Sequence, residues 1–388
     1  MNLADHNHCS GCSACYATCP RKAIRMHSDS EGFLFPEVDT ILCIDCGLCT
    51  KVCPVLNQPN IRQPLRCFAV KSNDSQERKA SSSGGVFSLL AKRVIQDGGI
   101  VFGAAWADNC SKVVHIGIDS VEDLPRLRES KYVQSEIGET YKSCEKFLKS
   151  SKLVLFTGCP CQIAGLLSFL GRDYDNLITQ EVICNSVPSP KALAAWTEAE
   201  KKKVPDEDLQ TIHFRDKCVG WHNTTLKYQF TTTTTTSLQL SAYYKLWQRG
   251  FTVRRSCIEC KFRDFRSGAD LTIGDFWGIE KVLPEMDDNG GVSAVLENTP
   301  KGCDFGARIM DCVECREVEF SDIAQSNPCL HKSFDLLRSA GDKRNLFWKL
   351  VNGGSDLQKL GIKMTQESSL RKIRLAIGRL LRALGVKK

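Results

Sequence analysis

Two stretches near the start of the chain carry cysteines at a spacing suited to iron chemistry: CSGCSACYATCP from Cys9 to Pro20 and CIDCGLCTKVCP from Cys43 to Pro54. Each reads C-x2-C-x2-C-x3-C-P. Three thiolates so spaced can wrap three irons of a cubane in one turn-rich loop, while the fourth, carried past by the start of a helix, ligates the neighbouring cluster. The expected ligand sets are Cys9, Cys12, Cys15 and Cys53 for one 4Fe-4S cluster, and Cys43, Cys46, Cys49 and Cys19 for the second. The proline after each fourth cysteine restricts that cysteine's backbone and turns the chain away. Zinc would ask for two separated pairs. No charged segment followed by an apolar one opens the chain, so an oxidising compartment and a disulfide framework are not expected.

The elements that must hold these cysteines are short. AIRMHSDSEGFLFPEVD, between the two motifs, alternates as a hairpin turning at Asp29 to Gly32. Residues 1–60 therefore read as a bacterial two-cluster ferredoxin domain, which moves single electrons and makes no bonds of its own.

Beyond the linker NQPNIRQP the pattern changes to alternating strands and helices. Cys67 to Val70 reads as a strand. Leu89, Leu90, Val94 and Ile95 fall at helical spacing, Gly98-Gly99 ends that helix, and Ile100 to Ala105 is the next strand. The SSSGG before the helix leaves two readings open: a phosphate-binding helix start, or an N-cap with a flexible turn. No G-x-G-x-x-G follows a strand, which disfavours a Rossmann dinucleotide site.

KLVLFTGCPCQIAGLLSFLG is uncharged from Leu153 to Gly171. The Gly-Cys-Pro-Cys break leaves two halves too short to span a bilayer, so the expectation is a buried strand, a turn and a helix of an α/β sheet, with Cys159 and Cys161 at the strand's carboxyl end. Cys184 closes LITQEVIC, and Cys257 and Cys260 form a C-x2-C. Cys161, Cys184, Cys257 and Cys260 are candidates for a third cluster drawn from three distant segments. Cys303, Cys312, Cys315 and Cys329, with Cys67, Cys110, Cys144 and Cys218, read as ordinary thiols, and Thr231 to Thr236 as a strand end with a hairpin turn.

Composition bounds the rest. The chain has 388 residues, 42% hydrophobic and 25% charged, as in a globular protein of two or three domains, but its 21 cysteines exceed ordinary usage and point to metal ligation. The formal charge of +7 is matched by the basic residues of the tail, Arg371, Lys372, Arg374, Arg379, Arg382, Lys387 and Lys388. The remainder is formally neutral, unlike a nucleic-acid binder.

Taken together, SSSGGVFSLLA, SKYVQS from Ser130, LFTGCPCQIAGL, CNSVPSP, FRDK with GW over Phe214 to Trp221, CIECKF and ADLTIGDFWGI resemble the family of coenzyme F-420 hydrogenase/dehydrogenase beta subunits, in its bacterial branch with a fused ferredoxin domain. The resemblance covers residues 1 to about 320. It implies an iron-sulfur flavoprotein that holds FAD beside a 4Fe-4S cluster and passes electrons on to a two-electron acceptor, deazaflavin-type or unidentified. Carried over residue by residue, it assigns the third cluster to Cys161, Cys184, Cys257 and Cys260. It lines the flavin with Ser82, Ser83, Gly84, Gly85, Lys131, Tyr132, Gln134 and Ser135. Two positions depart from the family's pattern. Gly-Thr-Pro-Cys is here Gly158-Cys159-Pro160-Cys161, and Cys-His-Gly is Cys184-Asn185-Ser186, so no proton-delivery role passes to a histidine there.

The expected fold is α+β or α/β: the ferredoxin domain (1–60), a non-Rossmann α/β flavin and iron-sulfur domain in two parts (66–148 and 149–325), and a helical tail (326–388) ending in a basic amphipathic helix. In that tail Leu370, Ile373, Ile377, Leu380, Leu381 and Leu384 fall at helical spacing among arginines, the pattern of an interfacial helix on anionic lipid. The expected setting is cytoplasmic, or peripheral at the inner membrane face. The expected partners are a soluble donor such as ferredoxin, a small-molecule acceptor and a membrane surface through the tail. Self-association is left open and nucleic acid is not expected. Two other functions fit the same residues: an electron-transfer subunit of a hydrogenase or dehydrogenase complex, and a disulfide reductase using Cys159.

Overall fold

The computed structural model describes residues 3–223, 225–237, 241–333 and 336–366; the expected amphipathic helix beyond Ser368 lies outside them. Thirteen strands run in chain order among the described residues. β1 (Ile24–Ser28) and β2 (Leu34–Val38) form the hairpin of the ferredoxin part, paired Ile24 to Val38 and Ser28 to Leu34. Then come β3 (Arg66–Ser72), β4 (Ile100–Trp106), β5 (Val113–Ile118), β6 (Val154–Gly158), β7 (Leu177–Val182), β8 (Leu209–Asp216), β9 (Thr225–Phe230), β10 (Thr234–Ser237), β11 (Leu271–Asp275), β12 (Ser293–Glu297) and β13 (Val313–Glu317).

Eight strands make one mixed sheet in the order β13-β3-β12-β11-β7-β6-β4-β5. Its centre, β11-β7-β6-β4, is parallel, and its flanks are antiparallel. The central strands are apolar because helices cover both faces. Val86–Gln96 packs Leu90 and Val94 with Leu155 and Ile178 on one face, and Thr140–Lys149 and Pro160–Leu170 pack Tyr141, Ile163 and Leu166 with Phe156 on the other. The uncharged run is thus β6 followed by a buried helix. Among the described residues no helix is long and apolar enough to cross a membrane. A second, antiparallel sheet, β10-β9-β8, carries its own aromatic core of Phe214, Tyr243, Tyr244 and Trp247. The threonine run forms its last turn and β10.

The ferredoxin hairpin turn is gripped from two sides. Asp29 accepts the amides of Glu31 and Phe33, which closes the turn. The Ser189 hydroxyl donates to the Glu31 carbonyl, and Lys191 Nζ reaches the Ser30 carbonyl at 3.0 Å. From the far end of the chain, Arg344 on the Leu336–Asn352 helix pairs both carboxylate oxygens of Glu31 and also donates to the Val253 carbonyl. Both side chains are buried, at 4% and 9% exposure. Removing one partner of such a pair strands the other charge, at a cost of about 3–5 kcal/mol. Arg344→Met should therefore lower the unfolding free energy by about 3 kcal/mol in denaturant titrations and open the turn at Asp29–Gly32 to protease. An unchanged midpoint would show that something else holds the hairpin.

Candidate functional site

The cysteines of the first motif do not close on themselves. Cys9, Cys12 and Cys15 line a small cavity together with Cys53 of the second motif. Cys43, Cys46 and Cys49 line another together with Cys19. Left-handed turns at Gly11 and Ser13, and at Gly47, bend each loop around its cavity. Backbone amides point at sulfur, Ala23 to Cys19 at 3.3 Å and Asp45 to Cys43 at 3.4 Å. Burial holds the Cys12 thiol up to about 12, with Cys9 and Cys53 adding repulsion. Among the described residues no three His, Cys, Asp or Glu side chains converge on one point where a single metal ion could sit. A cubane, several ångströms across, needs no such convergence. The second cavity faces outward: Cys46 is exposed, and Ile41 and Ile44 beside it are 92% and 60% exposed.

The third set is built at the carboxyl ends of adjacent parallel strands. β6 ends at Gly158 and leads through Cys159 into the helix that carries Cys161. β7 ends at Val182, two residues before Cys184, and a 3-10 turn, Arg255–Cys257, presents Cys257 and then Cys260. Cys161 is held protonated by burial and by the charges of Cys184, Cys260 and Cys257, so these four sulfurs face one another. Cys257 is pushed up to about 12, chiefly by burial. Cys159 stands beside the set in another role. It is the helix N-cap: its sulfur accepts the amide of Gln162, whose side chain accepts the Cys159 amide at 2.9 Å. Its thiol also donates to Cys184, which pulls the Cys184 thiol below its ordinary value.

Two buried guanidiniums identify the charge these sites are built to hold. Arg263 donates to the carbonyls of Cys184, Cys329 and Asn185, and its charge faces the sulfurs of Cys260, Cys184, Cys329 and Cys257. Arg254, 1% exposed, donates to the Cys9 carbonyl at 2.9 Å, to Gln134 Oε1 at 2.8 Å and to the Leu34 carbonyl at 3.0 Å, and stacks 4.2 Å from the Phe35 ring. Its charge pulls the Cys9 thiol down against burial. Neutral carbonyls alone do not compensate a buried cation; iron-bound thiolates do. The donor sets therefore fit 4Fe-4S clusters. The first and third sites are also close, for Cys12 is among the charges that Cys161 feels, and Tyr141 feels both.

The residues carried over for a flavin divide into two groups. Ser82 accepts the Ser130 amide at 2.8 Å, which joins SSSGG to SKYVQS, and Ser83 donates to the Val292 carbonyl. Gly84 is a packing glycine, since a Cβ there would collide with the Val70 carbonyl and with Ser293. Gly85, at φ 93°, is the N-cap of the Val86–Gln96 helix. Lys131 Nζ reaches the Arg128 carbonyl and burial lowers it to about 8. Tyr132 packs 4.7 Å from Trp247 and touches Arg215. Gln134 and Ser135 lie elsewhere: Gln134 binds the Ser10 carbonyl and Arg254, and Ser135 accepts from Gln162 on the cysteine-bearing helix. The segment from Lys131 to Ser135 thus connects the loop at Ser82 with the cluster sites.

Residue pattern alone missed several participants. Arg215 pairs with Asp275 at 2.6 Å, Asp275 accepts from Trp221 Nε1 at 2.7 Å, and Trp221 stacks on Trp277 at 4.9 Å. Lys217 Nζ ties three carbonyls together, those of Arg78, Ser83 and Gly290, at 2.7–2.8 Å. These are the FRDK, GW and GDFWG segments, which the sequence flagged as motifs without roles.

Comparison with known proteins follows the same division. Residues 151–325 match the family described as the carboxyl-terminal part of the coenzyme F420 hydrogenase/dehydrogenase beta subunit, and residues 8–57 match the 4Fe-4S dicluster domain. The coenzyme F420-dependent sulfite reductase of Methanocaldococcus jannaschii is 28% identical over 42% of this chain and 25% of its own length. The F subunit of the F(420)H(2) dehydrogenase of Methanosarcina mazei is 27% identical over 41% of this chain and 48% of its own. The chain thus spans a quarter to about half of the length of these curated relatives. A solved chain from the F420-reducing [NiFe] hydrogenase complex of Methanosarcina barkeri is 17% identical, with a TM-score of 0.48 over 74% of this chain and 91% of that one.

The burial of the thiols sets a pH dependence. With Cys12 and Cys257 protonated up to about 12 in the iron-free protein, each of these two thiols must release a proton on binding iron, so iron affinity rises with pH. Reconstitution in weakly buffered solution should release protons, and iron retention against a chelator should fall steadily as pH is lowered from about 9 to about 6. Pre-ionised thiols would give neither effect.

Proposed function

We propose that this chain, which belongs to the family of coenzyme F420 hydrogenase/dehydrogenase beta subunits, takes single electrons from a ferredoxin-type donor and delivers them, paired on FAD, to a two-electron acceptor. The observation that carries this reading is the gathering of Cys161, Cys184, Cys257 and Cys260 at the ends of neighbouring parallel strands, with Cys12 of the ferredoxin part close by. Open α/β sheets bind their ligands at such strand ends. FAD would convert between one-electron carriers and a hydride acceptor. This chain's residues would do the rest. Cys9, Cys12, Cys15 and Cys53, then Cys43, Cys46, Cys49 and Cys19, would hold the two ferredoxin clusters, and Arg254 and Arg263 would compensate anionic charge. Ser82, Ser83, Gly84, Gly85, Lys131 and Tyr132 would border the flavin, with Lys217 fixing the loop at Ser83 from behind.

The Methanosarcina mazei relative is by name one part of a dehydrogenase, which supports a second reading: an electron-transfer subunit whose acceptor chemistry lies on another polypeptide. Cys159, occupied as a helix cap, lends no support to a disulfide reductase.

Anaerobic reconstitution should yield about twelve irons per chain, and Cys257→Ser about eight, with the ferredoxin signals intact. About one FAD per chain should be released on denaturation if the chain is itself the flavoprotein. Eight irons in the unaltered chain would remove the third cluster. Full iron without flavin would favour the subunit reading.

A further inference from the structure

We infer that Gly165 is a positioning residue that sets the separation of the first and third cysteine sites, an inference that rests on reading both as cluster sites. Gly165 lies inside the Pro160–Leu170 helix, four residues after Cys161. An interior glycine weakens a helix relative to alanine, so the position calls for another reason, and space supplies it. A Cβ at Gly165 would lie 2.9 Å from Cys12 Cβ, 3.1 Å from Cys12 Sγ and 2.8 Å from the Tyr141 hydroxyl.

None of these neighbours is free to retreat. Tyr141 is fully buried, donates at 2.6 Å to the Gln162 carbonyl of the same helix, and packs on Phe156 and Phe169. The Cys12 loop is backed by Arg254, whose guanidinium sits so near Gly11 that a Cβ there would lie 2.9–3.0 Å from it. Residues four apart share one helix face, about 6 Å from each other. The Cys12 sulfur at Gly165 is therefore held about one helical turn from Cys161. Gly171, which ends the same helix, contrasts with it: it has a φ of +65° and open space around it, as a C-terminal cap requires.

An added side chain at 165 should move Cys12 away from the helix, lengthening the electron's path between the two sites without altering any ligand. Full-length Gly165→Ala, reconstituted anaerobically, should keep the unaltered chain's iron. It should show a weaker spin–spin interaction between the first and third clusters by EPR, and electron equilibration from the ferredoxin part to the third site slowed severalfold in stopped-flow reduction. Its melting temperature should fall, although alanine strengthens an isolated helix. Loss of about four irons from the first site alone would support the same contact. Unchanged iron, spin coupling and transfer rate with an equal or higher melting temperature would overturn the positioning role, as would loss of the third site's irons with the first intact. Only eight irons in the unaltered chain would overturn the reading of the third site instead, and the melting comparison would still test the contact.

Discussion

The arrangement depends on two positive charges, those of Arg254 and Arg263, buried almost wholly out of solvent. Arg254 and Arg263 direct their N–H groups at main-chain and amide oxygens and their charge at sulfur. A desolvated guanidinium is costly to keep unless an anion lies near, and here the nearby groups able to become anions are thiols and, for Arg263, the buried Glu181 carboxyl as well. Folding and metal loading would thereby be coupled. On binding iron the thiols would release their protons to solvent and the thiolates so formed would compensate the arginines, which fix the loops that carry the thiols. Arg254 does this across a domain boundary, because its three oxygen partners belong to the Cys9 loop, the ferredoxin hairpin and the α/β body.

The sheet explains why cysteines so far apart in sequence meet. Strands β6, β7 and β11 are parallel neighbours, so their carboxyl ends lie along one edge, and whatever follows each strand is delivered there. Gly158 is followed by the Cys159 cap and Cys161, Val182 by Cys184, and Asp275 by Trp277. Asp275 itself faces Arg215 and Trp221. The same edge therefore carries the third cysteine set and the aromatic and charged group beside it, and the irregular segment from Lys131 to Ser135 crosses between them.

What could be read from sequence was what is local. The crossed sharing of Cys19 and Cys53 follows from spacing within each motif, and the two cavities group the cysteines in that way. The hairpin at Asp29, the strand-and-helix reading of the uncharged run and the turn within the threonines are likewise short-range patterns of polarity. The roles of Arg254, Arg263, Tyr141 and Gly165 were not legible, because each depends on a partner more than twenty residues away that no periodicity encodes. Gln134 shows the limit of carrying a motif over residue by residue: it stands in SKYVQS beside Lys131, but its side chain turns to the ferredoxin loop. By position alone Cys159 reads as a redox thiol beside a cluster ligand. Only the helix start shows a sulfur capping where a threonine hydroxyl would ordinarily do so.

The grip of Arg344 on Glu31 joins residues 313 positions apart. During synthesis the N-terminal part leaves the ribosome long before its clasp exists, and the contacts from Gln134, Ser189, Lys191 and Arg254 become available to it before Arg344 does. Until the Leu336–Asn352 helix follows, the Glu31 carboxylate lacks this cation, so that helix completes the docking of a domain made long before it.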